Sequence, residues 1–314
     1  MTIYLIKFIV LSFLFWGFYR LILDEQKNLV FNRFYLISSL VLSMVIPMIT
    51  ISYVIQDTTP ALSPIIYPIV SNLEQSPAES SIIYWHEWIA WMYVSILSIL
   101  ALRFLFHLLI LLYKSRTCER SHFQGTPVIL TKQEHFPFAF MNYIFVDKNA
   151  FINNQLDHRI FIHEIAHIRQ GHSWDILFVE LMKVVFWFNP ILWIYKNEIK
   201  MNHEFLADNE VIKTQDNIEN YQYLLLSLAN LGLPTPSILS NHINYSITKK
   251  RLEMMFKTRE RHDMKWRMLC SLCFALAMIF AFHQKSYAQP LGQVRKKYQS
   301  MNLLSKDHGV RMVR

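Results

Sequence analysis

The chain has 314 residues, of which 53% are hydrophobic and 15% aromatic, with six glycines and a formal net charge of +8. That is too apolar for an ordinary soluble enzyme and points to membrane spans. The positive charge is concentrated in particular loops, which assigns it to topology and anionic lipid contact and argues against nucleic acid as a direct partner.

Three stretches, residues 3–23, 35–55 and 88–113, are long enough to cross a bilayer, which takes about 20 mainly apolar residues. The first lacks a small-residue cleavage site and carries Arg20 near its end, so it does not read as a cleavable signal. A fourth, shorter stretch at 268–282 needs flanking residues to complete a span. Arg20, Lys27 and Arg33 lie around the first connection, whereas residues 56–85 hold no Lys or Arg but carry Asp57, Glu74 and Glu79. Lys114, Arg116 and Arg120 follow the third stretch, and Lys249, Lys250, Arg251, Lys257, Arg259, Arg261, Lys265 and Arg267 precede the fourth. The positive-inside rule then predicts external termini and a cytoplasmic region between the third and fourth spans. Cys118 would be reduced there, and Cys270 and Cys273, inside the fourth stretch, read as lipid-facing or helix-packing residues. Arg103 and His107 share a helical face inside the third stretch and read as structural.

The region between the third and fourth spans has the size of one domain. Pro127-Val128-Ile129-Leu130 and Tyr143-Ile144-Phe145-Val146 have strand character and predict a small sheet edge. A helix is predicted over about 157–172, with Gly171 near its end, and it carries His163-Glu164-Ile165-Ala166-His167. Residues four apart return to one helical face, so both imidazoles can address one metal ion, with Glu164 one step round beside it. This arrangement suits Zn²⁺ with an open position for water and a general base. A third ligand is expected at Glu204, within His203-Glu204-Phe205-Leu206-Ala207-Asp208. Asp208 shares the face of Glu204 and is the candidate to accept the far N–H of a ligating histidine. The blander alternatives, surface histidines and ordinary helix acids, leave this pairing of motifs unexplained.

Residues 176–195 are apolar enough to span, yet one crossing would put the histidines and Glu204 on opposite sides of the bilayer. Asn189-Pro190 offers a break, and Glu180 and Lys183 would be costly in lipid. The segment is therefore expected to be a buried or membrane-grazing helix that turns at Asn189-Pro190 and returns carrying Glu204. A helix over 217–233, a linker at 234–237 and a basic helix over 245–261 follow.

With His163 to His167, Gly171-His172-Ser173-Trp174-Asp175, Phe186-Trp187-Phe188-Asn189-Pro190 and Glu204 to Asp208 in place, the chain resembles the BlaR/MecR-type membrane zinc metallopeptidases. Asn32-Arg33-Phe34-Tyr35-Leu36 and Pro47 look like the version found in Bacteroidetes-type bacteria. The resemblance implies a mainly α, polytopic protein of about four transmembrane helices in the bacterial cytoplasmic membrane. It would have a membrane domain at 1–113, a cytosolic gluzincin-like domain with a small β element at 114–267, a fourth helix at 268–283 and a short external tail at 284–314. It further implies a zinc endopeptidase with His163, His167 and Glu204 as ligands and Glu164 as catalytic base. A second oxyanion donor is expected, with Tyr143, His172 and His203 as candidates. The expected substrate is a protein: the chain itself or a cytoplasmic regulator such as a repressor.

The β-lactam-sensing relatives carry a penicillin-binding domain after the fourth span, and the residues that follow it here are too few for one. Ser246-Ile247-Thr248-Lys249 has the spacing of that domain's nucleophile motif but lacks its companions. Ser286-Tyr287-Ala288 has small residues at cleavage spacing, against which a plain anchor with a tail is preferred. Two rival readings share the motif. A membrane quality-control protease of the HtpX/Ste24 type would place more crossings after the zinc motif. A non-catalytic receptor or scaffold with a vestigial protease domain would have no chemical reason to keep Glu164.

Overall fold

The computed structural model describes residues 2–24, 27–54, 85–132, 137–214, 218–230, 238–257 and 261–288. The chain is mainly helical, with a small sheet. Its elements in order are α1 (Thr2–Phe18), extended by a π turn (Tyr19–Leu23), α2 (Leu29–Val45), β1 (Thr50–Val54) and α3 (Trp85–Thr117). Then come β2 (Glu119–Phe123), β3 (Thr126–Thr131), β4 (Phe138–Phe140), β5 (Tyr143–Asp147) and α4 (Lys148–Ile152). The remainder is α5 (His158–Arg169), α6 (His172–Val185), α7 (Ile191–Thr214), α8 (Ile218–Asn230), α9 (Ile238–Phe256), α10 (Arg261–Phe282) and β6 (Gln284–Ala288).

Four segments are long and apolar enough to cross a membrane: Ile3–Leu23, Leu29–Met48, Glu87–Thr117 and Lys265–Phe282. The second differs from the expected 35–55. It begins earlier because Leu29 packs against Phe205 and Leu206 of α7. It ends earlier because Pro47 sits in a closing 3₁₀ turn and Ile49 is extended. The β-branched run beyond forms β1, which pairs in parallel with β6 from Thr50↔Gln284 to Val54↔Ala288.

The segment that hydropathy alone would call a fifth span is a helical hairpin. α6 and α7 pack Val179, Met182, Leu192 and Tyr195 into one core with Phe8, Leu11 and Phe15 of α1 and Leu36 and Leu40 of α2. The turn is built by Asn189, which is fully buried. Its Oδ1 accepts from the Ile191 N–H at 3.0 Å and its Nδ2 donates to Ser12 Oγ at 3.2 Å. Ser12 lies midway along the first apolar helix, so the hairpin tip reaches that depth and turns back. Both arms leave on the side where α5 lies.

The helix expected over 157–172 is two helices. Asp157 caps α5 by accepting from the Arg159 N–H at 2.8 Å. Gly171, at φ +66°, occupies the left-handed region and redirects the chain, so His172 opens α6 instead of closing α5. The sheet has four strands in the order β2-β3-β5-β4, two more than the apolar runs suggested. β2 is polar and β4 has three residues, so neither carries a strand-like apolar pattern. β4 is one of the two edge strands, β2 being the other, and it packs beside α5.

Candidate metal centre

α5 buries Phe161 and Ile165 against Val128, Ile144 and Val146 of the sheet. That anchors the helix with His163 and His167 turned towards α7, where Glu204 meets them. The two Nε2 atoms are 3.1 Å apart. Glu204 Oε2 is 3.3 Å from His163 Nε2, and Oε1 is 3.7 Å from His167 Nε2. A tetrahedral ion with bonds of about 2.0–2.2 Å needs donor separations of about 3.3–3.6 Å, so the triangle has the right size. Among the described residues, this is the group of histidines and carboxylates whose donor atoms all lie within 4.8 Å of one another.

Each histidine is held from behind. His163 Nδ1 is 3.2 Å from Asp208 Oδ1 and 3.2 Å from the Tyr221 hydroxyl. Tyr221 donates to Asp208 Oδ1 at 2.8 Å. Arg251 grips the same carboxylate twice, Nε to Oδ2 at 2.9 Å and Nη2 to Oδ1 at 2.6 Å, while its Nη1 is 3.2 Å from Glu204 Oε2. His167 Nδ1 is 2.8 Å from His172 Nδ1. The His172 ring stacks on His203, with centroids 3.9 Å apart and planes 5° apart. His203 Nε2 donates to Asp175 Oδ2 at 2.8 Å, and Arg33 Nε of α2 donates to the same oxygen at 2.6 Å. Partners at both Nδ1 atoms place the proton there and leave the Nε2 lone pairs for the common point.

The electrostatics of the chain favour a cation at that point. Burial works against a charged His163, but Asp208 and Glu204 outweigh it and raise its pKa to about 9. Burial and the neighbouring His163 depress His167 to about 3. Burial would raise Glu204, yet His163 and Arg251 hold it well below the usual carboxylate range. Burial pushes the Glu164 carboxyl up to about 7, while His163 and the Ala139 backbone pull it down.

These groups face a cleft of about 740 Å³ bordered by Phe138 and Ala139 of the edge strand. Glu164, buried on α5, lines it, as do His172 and His203. Of the three candidate oxyanion donors, Tyr143 is not among the lining residues; its ring lies under Arg120, 5.8 Å from the guanidinium carbon. His172 has both nitrogens engaged, Nδ1 by His167 and Nε2 by Gln170 at 3.2 Å. His203 Nδ1 has no partner among the described residues. Arg251, Tyr221 and Arg33 carry no local signal of a place here. Asp175 lay in a quoted motif without a role.

Residues 140–255 match the family model described as BlaR1 peptidase M56, a stretch that holds His163, Glu164, His167, Glu204, Asp208 and Arg251. That stretch carries a likeness to BlaR/MecR-type proteins. It is 30% identical over 83 residues to the "Regulatory protein BlaR1" of Bacillus licheniformis, covering 26% of this chain and 14% of that protein. It is also 30% identical over 105 residues to the "Methicillin resistance mecR1 protein" of Staphylococcus aureus, covering 32% of this chain and 17% of the relative. The same figures hold for the relative of that name in Staphylococcus epidermidis. The match therefore spans only 14% and 17% of these relatives' own lengths. The matched family model is that of a peptidase, and the His163, His167 and Glu204 donors lie close enough together to hold one metal ion.

Proposed function

We propose that this chain is an integral membrane zinc endopeptidase that cleaves a cytoplasmic regulatory protein or itself in transmembrane signalling. The observation that carries the reading is the donor triangle of His163, His167 and Glu204 with Glu164 beside it in a cleft bordered by an edge strand. Zinc bound there would polarise a peptide carbonyl and lower the pKa of a water ligand. Glu164 then accepts a proton from the attacking water at its carboxylate and hands it to the leaving amine. Asp208 and His172 orient the two ligand rings, and Arg251 fixes Glu204 against Asp208. His203 lines the cleft, but with its proton on Nε2 towards Asp175 its Nδ1 carries a lone pair, so only the imidazolium form could donate to an oxyanion. The free edge of β4 suits an extended substrate backbone, which would add as a further strand. That favours a protein substrate over a small molecule.

Residues 1–113 and 268–283 form the membrane part in this reading, and 114–267 the peptidase domain on the cytoplasmic side. The α6–α7 hairpin wedges into the membrane part, which gives a spanning helix a direct contact with the site through Arg33. One span among the described residues follows the His-Glu-x-x-His motif, which fits this reading better than the quality-control type. The test is purified protein in nanodiscs, wild type against Glu164→Gln, with zinc content and cleavage fragments measured on the same samples. Stoichiometric zinc in both, with fragments only in the wild type, supports the proposal. Equal cleavage, or no zinc in the wild type, ends it, and zinc without cleavage in either favours the scaffold.

A further inference from the structure

α3 is joined to the hairpin near the tip, where the Tyr93 hydroxyl donates to the Val185 carbonyl at 2.7 Å and the ring stacks on Trp187 at 6.5 Å. Further along, α3 and the hairpin part and leave a groove of about 520 Å³. Its walls are leucines and Phe104, but Arg103, His107, Glu180, Lys183 and Lys196 face into it. Lys183 Nζ lies 3.0 Å from Glu180 Oε2 and 5.2 Å from the Trp193 ring centroid. Lys196 pairs with the other oxygen of the same carboxylate. The Arg103 guanidinium has no partner among the described residues. Against Arg103, Lys183 and Lys196 the groove offers one carboxylate, Glu180, which leaves an excess of two positive charges on an apolar surface. Such charges are costly at membrane depth unless an anion meets them.

The groove sits at a defined level. Lys196 is two residues before Glu198 on α7, a rise of about 3 Å. Glu198 approaches Arg20, at the end of the first apolar helix, to 4.0 Å. From Trp85 to Arg103, α3 rises about 27 Å, close to the about 30 Å of a hydrocarbon core. Arg103 and the lysines thus lie on the peptidase side of the hairpin tip, within the apolar length of Glu87–Thr117. Beside the groove, α3 is exposed along Leu102, Leu105, Phe106 and Leu109.

We propose that this groove binds one anionic phospholipid of the leaflet on the peptidase side, its phosphodiester held by Arg103, Lys183 and Lys196 and an acyl chain lying against the leucine wall. A phosphodiester supplies the missing acceptor for the Arg103 fork. A free phosphate would satisfy the charges and leave the apolar wall bare. The site is independent of zinc and of cleavage.

The test uses the full chain in nanodiscs of mixed phosphatidylglycerol and phosphatidylcholine, extracted gently and analysed by native mass spectrometry for retained lipid. Membrane insertion is scored separately, so a failure to insert is not read as a failure to bind. The expected result is one retained phosphatidylglycerol per chain and an about tenfold lower occupancy in Arg103→Gln, as expected for losing a charge-assisted contact. Arg116→Gln, on the same helix but outside the groove, should match the wild type. Should Arg103→Gln fail to insert, Arg103→Lys, which keeps the charge but loses the fork, should show a smaller loss. Equal retention of the two lipids by the wild type overturns the proposal, as does undiminished phosphatidylglycerol in the Arg103 variant. Displacement of the lipid by inorganic phosphate would make the ligand a free anion and overturn it too.

Discussion

Asp208 does two things at once, and a pair of variants separates them. Its carboxylate is 2% exposed and accepts from Arg251 at 2.6 and 2.9 Å and from Tyr221 at 2.8 Å, while facing His163 Nδ1 at 3.2 Å. Asp208→Ala leaves Arg251 with only Glu204 as a carboxylate partner, and removing one partner of a buried pair costs up to about 3–5 kcal/mol. It also frees the His163 ring, and loss of such an orienting partner weakens metal affinity about 10–100-fold, or about 1.4–2.8 kcal/mol. Asp208→Leu combined with Arg251→Met replaces both charges by apolar groups, so most of the stability should return. The zinc affinity should not, because His163 Nδ1 still lacks its acceptor. The assay is thermal unfolding of metal-free protein in detergent, beside zinc competition against a chelator. If the single variant loses less than about 1 kcal/mol of stability, the Arg251 clamp is not what holds this corner. If the double variant binds zinc like the wild type, Asp208 does not orient His163.

The Glu164→Gln protein should hold wild-type zinc and produce no fragments, and full residual cleavage would remove the proton-transfer role. Glu204→Ala should lose the metal outright by elemental analysis, since two histidines remain of three ligands; retained zinc would reassign the third position. Asp175→Asn should lower zinc affinity by no more than about tenfold, because it acts on His167 only through His203 and His172; an unchanged affinity would break that chain of contacts. A reporter fused after residue 215 should read as cytoplasmic and one after residue 65 as external. External readings at both points would contradict the proposed topology.

Much of this was legible before any coordinates, and for a common reason. The His163–His167 spacing, the Glu204–Asp208 spacing and the apolar runs are periodic patterns over a few residues, and helix geometry converts them directly into faces and lengths. The requirement that two histidines and one carboxylate share an ion turned an apparent fifth span into a hairpin, with Asn189-Pro190 as its turn. Hydropathy also placed four apolar helices, though not the ends of the second. Those ends depended on Leu29 finding Phe205 and on β1 finding β6, contacts that no window of neighbouring residues contains.

The surroundings of the donors were decided by the tertiary structure alone. Arg251 looked like one of eight basic residues setting topology, yet it lies against Asp208, 43 positions earlier. Arg33 looked like a loop charge beside a span, and it holds Asp175, 142 positions later. His172 read as the end of the zinc-motif helix until Gly171 turned the chain and set it behind His167. Arg103 read as a structural charge, but the parting of α3 from the hairpin leaves it facing an open groove. Ligand atoms on one helix face follow from local backbone geometry. The partners that fix their protons and orientation come from distant segments, because the chain brings those together only when it packs α2, α6, α7, α8 and α9 around the site.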